Sequence, residues 1–240
     1  SKYENTKPII TPRFIPSCTD LLMTKLSEIQ KKYQLPMQSH LSENLSEIAW
    51  VKELCPNSKF YGDAYDQFGL FGGEVPTIMA HCVHPPKEEM QLMKEKGVMI
   101  AHCPQSNMNV LSGIAPVREF IDEGMKVGLG SDVAGGTQLS ILRAMVDTIQ
   151  SSKLRWRLVD QTKKPLTVEE AFYLGSVGGG AFFGKVGSFE EGFEFDAVIL
   201  DDTTLPHPQE MTVRERFERM IYLSDERHVV SKFVRGNQLF

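Results

Sequence analysis

Gln38-Ser39-His40-Leu41-Ser42-Glu43-Asn44 decides how this chain is read. An apolar run, Tyr33 to Met37, leads into a lone histidine, and a carboxylate follows three residues later. If the run is a strand, His40 sits at its C-terminal end and Glu43 in the loop beyond. A parallel α/β barrel keeps its reactive groups at that edge. A neutral imidazole there can bind a metal while the nearby carboxylate moves protons. The plainer reading makes Glu43 a charge favoured by the dipole of the next helix and His40 a buried polar residue.

The pattern recurs outward from this stretch. Val75 to His81 is a second run ending in histidine, Val98 to His102 a third, and Met125 to Asp132 one that ends in a carboxylate. Amphipathic segments separate them. Ser17 or Thr19 can cap a helix through about Lys32, with Leu21, Leu22, Leu26 and Ile29 on one face. Asn44 and Glu47 have capping-box spacing ahead of a stripe of Leu45, Ile48, Ala49 and Leu54, ended by Pro56. Lys87 to Lys96 predicts a short helix stopped at Gly97, and Pro116 to Glu123 another stopped at Gly124. Leu139, Leu142, Val146 and Ile149 share a helical face, and Thr167 to Tyr173 begins a further helix.

With the opening β-prone run Lys7 to Phe14, this gives about five strand–helix units at βαβ spacing. Apolar runs of this kind fit a parallel sheet buried on both faces. A closed (β/α)₈ barrel needs eight units, so the expected fold is α/β with an open sheet or a partial TIM-type barrel. After Lys185 the pattern changes to a strand at Asp196 to Leu200, a helix near Val213 to Tyr222 and a closing hairpin from Val229. The expected division is residues 1–185 for the barrel part and 186–240 for a small β-rich segment.

Composition sets limits. The 240 residues are 41% hydrophobic and 24% charged, which fits a globular protein with a sizeable core. The net charge is -5 and no basic patch stands out, so neither nucleic acid nor a membrane surface is an expected partner. No apolar run is long enough to span a bilayer. The four cysteines are scattered and read as reduced thiols in a cytosolic protein. Ser1 to Asn5 lacks an initiator methionine, as expected of a processed or cut piece.

His40, His81 and Asp132 fall at three strand ends that share one face of a parallel sheet. Two imidazoles and a carboxylate there could bind Zn²⁺ or another borderline metal. For Asp132 the plain alternative is a turn residue ahead of Gly135-Gly136.

These segments resemble the amidohydrolase superfamily: Gln38 to Glu43, Ala80-His81, Ala101-His102-Cys103-Pro104 with Ser106-Asn107, and Gly128 to Asp132. Thr11-Pro12-Arg13-Phe14, Ser39 to Asn44 and Gly130 to Gly136 together look like its zinc aminohydrolase branch that acts on guanine. Gly187, Gly192 and Asp196 to Leu200 resemble that superfamily's return into a β-sandwich. The resemblance implies that His40 and Asp132 are zinc ligands after the fifth and eighth barrel strands, with Asp132 also the base for the attacking water. It implies that His81, after the sixth, hydrogen-bonds the attacking oxygen. Glu43 would protonate a purine ring nitrogen, and Arg13 and Phe14 would hold the purine. A cytoplasmic homodimer in purine catabolism is implied as well.

His84 and His81 form H-x-x-H, whereas the metal pair on the first strand of this superfamily is H-x-H. Residues i and i+2 of a strand point to one side, which suits two ligands. No H-x-H occurs among the six histidines. The five units therefore correspond to the fourth through eighth strands, and this polypeptide alone is expected to be inactive or incomplete. The other readings are an aminohydrolase for a different purine, pterin or triazine, and a non-catalytic binding or dimerisation partner. The H-x-E and P-C-x-x-C signatures of cytidine deaminases are absent.

Overall fold

The computed structural model describes residues 6–240; the expectation about the first five residues lies outside them. In chain order the helices are α1 (Asp20–Tyr33), α2 (Leu45–Leu54), α3 (Tyr61–Gln67), α4 (Lys87–Lys96), α5 (Pro104–Asn109), α6 (Val117–Asp122), α7 (Ile141–Leu158), α8 (Val168–Tyr173) and α9 (Val213–Leu223). The strands are β1 (Met37–Leu41), β2 (Thr77–His81), β3 (Met99–His102), β4 (Val127–Leu129), β5 (Ala197–Leu200), β6 (Val229–Val234) and β7 (Asn237–Gln238). The chain forms two compact units. The first runs to His102 and includes Asn107–Val127; the second is Cys103–Ser106 with Gly128–Phe240.

The first unit is built on a parallel sheet. Met37 lies opposite Thr77 and Leu41 opposite His81, and Ile78 pairs with Met99 on the far side of β2. The sheet order is β1-β2-β3-β4, and β4 enters it through Val127, the last residue of this unit. Beyond β1, the expected opening strand shrinks to one parallel bridge between Ile10 and Met37. Pro8 and Pro12 flank Ile10, and without N–H donors they cannot extend a ladder. The five expected units are thus four strands and a bridge. Burial alternates along β1 and β2: in β1, Met37, Ser39 and Leu41 are buried while Gln38 and His40 are half-buried. That period of two puts His40 on the more open face.

The helices start and stop where expected more often than they face as expected. Thr19 caps α1 by accepting the Leu22 N–H at 3.2 Å. The buried side of α1, however, is Met23, Ser27 and Gln30, whereas Leu21 is 70% exposed and Leu22 and Ile29 are also exposed. Ser27 and Lys31 face the turn at Gly69, where a Cβ would lie 3.7 Å from Ser27 Oγ. On α2 the buried residue is Val51, not Leu45 or Leu54, although the Asn44–Glu47 capping box forms. The α4 helix has the expected bounds, closed by Gly97 at φ 67. The expected apolar runs did not include α3. It buries Tyr61, Gly62, Ala64 and Tyr65, and a side chain at Gly62 would strike the Phe71 ring.

The second unit packs Met145, Val146 and Ile149 of α7 against Ala171 of α8 and Ile221 of α9. Leu139, expected on the α7 face, lies before the helix and is exposed. Thr167 and Glu170 form the capping box of α8. The tail is an antiparallel sheet of order β5-β6-β7, with Ala197 opposite Phe233 and Val234 opposite Asn237, so the expected hairpin forms. All four cysteines are free thiols. No helix among the described residues is long and apolar enough to cross a membrane.

Candidate active site

The site is organised by the turns that end β1 and β2. Ser42 has φ 46, His81 φ 72 and Cys82 φ 48, all in the left-handed region that non-glycine residues avoid. Such residues cost on the order of 1–3 kcal/mol each and persist where surrounding bonds over-determine them. Here the two turns are laced together. The Cys82 N–H donates to the Leu41 carbonyl at 3.0 Å, and the Ser42 carbonyl accepts from Val83 at 3.1 Å and His84 at 2.9 Å.

His40 is fixed from behind. Its Nδ1 lies 2.7 Å from the Arg13 carbonyl, which can only accept, so Nδ1 carries the proton. In the neutral ring Nε2 is then the lone pair. The Tyr65 hydroxyl, 2.7 Å from Ser39 Oγ, donates to the His40 carbonyl at 2.9 Å. The His40 ring stacks on His81 with centroids 5.1 Å apart. Phe14 approaches His40 at 6.3 Å, and Trp50 meets Phe14 edge-on at 6.5 Å. The Arg13 guanidinium lies 5.2 Å from the Phe14 ring centre. An exposed cation and a half-exposed aromatic wall therefore stand beside the imidazole pair.

Glu43 belongs to a closed polar ring. Ser112 Oγ donates to Glu43 Oε1 at 2.8 Å, and the Ser112 N–H donates to the Asn107 carbonyl at 2.8 Å. His81 Nδ1 lies 2.8 Å from Asn107 Oδ1 and 3.7 Å from Glu43 Oε1. His84 takes no place in that ring; its Nε2 donates to the Ser112 carbonyl at 2.7 Å. His102 is buried, with neither ring nitrogen hydrogen-bonded. Burial, and secondarily the charge of a protonated His81, hold its pKa down to about 3. That suits a neutral core residue.

His40, Glu43 and His81 are thus brought together, with Arg13 and Phe14 at their edge. Asp132 lies in the second unit. It has φ 45 and its carbonyl accepts the Gly136 N–H at 2.6 Å, the turn its sequence context allowed. A Cβ at Gly135 would come within 2.8 Å of Asp132 Oδ2 and 2.5 Å of Ser106 Oγ, so a side chain there would have to displace them. Ser112, Tyr65 and Trp50 escaped the sequence reading. Only Trp50, an aromatic midway along an amphipathic helix, left any trace in the local pattern.

His40 fits one position of a zinc site, because a backbone carbonyl sets its tautomer. Among the described residues, no group of three or more His, Cys, Asp or Glu could hold a metal ion. A catalytic zinc takes at least three protein ligands, so the donor set described here does not complete the site.

Residues 2–239 match the sequence profile of the amidohydrolase family. A guanine deaminase of Dictyostelium discoideum is 41% identical over 97% of this chain and 53% of its own length. The crystal structure of guanine deaminase from C. acetobutylicum with bound guanine superposes with a TM-score of 0.94 at 49% identity, covering all of this chain and 57% of that one. An adenosine deaminase from Xanthomonas campestris with bound zinc, 21% identical over 95% of this chain and 50% of its own, shares the fold at a TM-score of 0.81. The chain spans about half the length of the curated relatives it matches.

Proposed function

Because the chain belongs to the amidohydrolase family, we propose that its first unit is the substrate-holding and proton-moving part of a guanine deaminase. The reaction is guanine plus water to xanthine plus ammonia. The observation that carries this reading is the Glu43–Ser112–Asn107–His81 ring beside the Phe14 and Arg13 edge.

Each residue has a chemical task. Phe14 offers a ring face to the purine, and Arg13 offers donors to its carbonyl oxygen. Attack on the carbon that bears the amino group costs aromaticity. Glu43 offsets that cost by protonating the adjacent ring nitrogen, then delivers a proton to the departing amine. His81, with Nδ1 engaged by Asn107, hydrogen-bonds the oxygen that adds through Nε2. We assign Asp132 the removal of the water proton.

Zinc is the metal we assign to the whole protein, with His40 and Asp132 among its ligands; it supplies a nucleophilic water at neutral pH. A zinc-bound neighbour of the same fold supports that choice. The four parallel strands and the Ile10 bridge are read as the fourth to eighth strands of a (β/α)₈ barrel. Residues 186–240 then belong to a sandwich domain and residues 1–185 to the barrel. A cytoplasmic homodimer serving purine catabolism completes the proposal. The incomplete donor set means that residues 1–240 with added zinc are not expected to release xanthine.

The test is Glu43→Gln in a polypeptide that completes the metal site. Turnover of guanine should fall about 100-fold or more at unchanged metal content, because a proton carrier is removed and no ligand is. Near-normal turnover would exclude this role for Glu43.

A further inference from the structure

Glu89 has no task in the reaction just described, and it is a carboxylate with no exposed surface. It sits on α4, where the sequence shows only one of several charged residues in a polar helix. Burying a carboxylate is costly unless hydrogen bonds satisfy it. Both of its oxygens are satisfied, at close range. Ser42 Oγ donates to Oε2 at 2.6 Å, and the Gly62 N–H donates to Oε1 at 2.6 Å. Gly62 is in the first turn of α3, where backbone N–H groups have no partner inside the helix.

The residues it binds are informative. Ser42 immediately precedes Glu43 and holds the left-handed φ of 46 that turns the chain off β1. On the other side of Glu43, the Asn44 N–H donates to Glu47 Oε2 at 3.3 Å. The second oxygen of Glu47 accepts from the Tyr61 hydroxyl at 2.7 Å. Tyr61 and Gly62 are adjacent. Both neighbours of Glu43 are therefore tied to the start of α3, each through a carboxylate.

We propose that Glu89 is a positioning residue for Glu43, clamping Ser42 to Gly62 so that the strained turn after β1 holds the Glu43 carboxylate against Ser112 and His81. This rests on Glu43 being the proton carrier of the proposed reaction. Glu89 touches no substrate and acts only through Ser42. A plain core residue at this position would matter to stability alone. A positioning residue also matters to where Glu43 sits. Burial pushes the Glu89 carboxyl up to about 7, with the hydrogen bonds from Ser42 and Gly62 opposing that rise. A neutral acid or an amide can thus keep the clamp, whereas an alkyl group cannot.

The experiment compares the 240-residue chain with Glu89→Gln and Glu89→Leu. Three readouts are taken: cooperative unfolding in urea, guanine binding by equilibrium dialysis, and the ¹³C resonance of the Glu43 carboxyl, identified by its loss in Glu43→Gln. Glu89→Leu should move that resonance and weaken guanine binding about tenfold or more, the worth of one hydrogen bond to a charged group. Glu89→Gln should restore both to near wild type. If Glu89→Leu does not fold, Ser42→Ala removes the same clamp and should move the Glu43 resonance in its place. A folded Glu89→Leu, or Ser42→Ala, with the Glu43 resonance unmoved overturns the proposal. So does a Glu89→Gln that fails to rescue it. If no variant and no wild type binds guanine, the functional reading fails, while the resonance still decides the positioning claim.

Discussion

Ser112 Oγ donates a 2.8 Å hydrogen bond to Glu43 Oε1 across 69 residues of sequence, nearer than the 3.7 Å that separates the same oxygen from His81 Nδ1. Ser112 is buried, while the Glu43 side chain keeps 16% of its surface in contact with solvent. Ser112→Ala is therefore expected to lower the unfolding free energy by about 1–2 kcal/mol, less than a fully dry charged bond would cost. Most of that loss should vanish when Glu43 is already leucine, which cannot accept the bond, because the two residues share one interaction. Urea unfolding of the two single variants and the double variant measures the coupling; strictly additive losses would mean that the bond contributes nothing.

Glu89 gives a pH dependence with a definite sign. Its carboxyl titrates near 4.5 when unfolded and is pushed up to about 7 in the folded chain. Between those values the folded state binds the proton and the unfolded state does not. Stability attached to Glu89 is present below 4.5 and is lost as pH rises through 7. Relative to Glu89→Gln, the wild type should lose stability from pH 5 to pH 8, by about 3 kcal/mol at most at roughly 1.4 kcal/mol per unit. Parallel pH profiles of unfolding free energy would contradict the assignment.

His102 runs the other way. It titrates near 6.5 unfolded and is held down to about 3 by burial in the folded chain. Its contribution is present above 6.5 and is lost as pH falls toward 3. The wild type should accordingly lose more stability between pH 7 and pH 4 than His102→Met does. Urea unfolding at the two values decides this, and equal losses would show that His102 titrates normally.

The parts of this molecule that could be read in the sequence are those fixed by neighbours in the chain. Apolar runs that stop at His40, His81 and His102 become strand ends, because a parallel strand needs only a short buried run and a polar exit; the run toward Asp132 instead closes at Leu129 and leaves Asp132 in the turn that follows. The Asn44–Glu47 box and Gly97 bound their helices through bonds a few residues long. What could not be read depends on partners far along the chain. The leucines of α1 give a good stripe, yet Ser27 packs and Leu21 does not, and the Gly69 turn that faces Ser27 lies some forty residues further along the chain. Pro8 and Pro12 were visible, but their effect on the first strand appears only once Ile10 is seen with a single rung. Ser112 has no local signal at all; its partner is chosen by the fold.

The central claim is that Arg13, Phe14, His40, Glu43 and His81 form a guanine-holding edge in the first unit. Equilibrium dialysis of guanine against the 240-residue chain tests this most directly, with adenine as competitor and Arg13→Met as control. Guanine should bind saturably, adenine should compete poorly, and Arg13→Met should weaken guanine at least about tenfold through the loss of charged donors. Equal retention of guanine and adenine, or wild-type affinity in Arg13→Met, would contradict it.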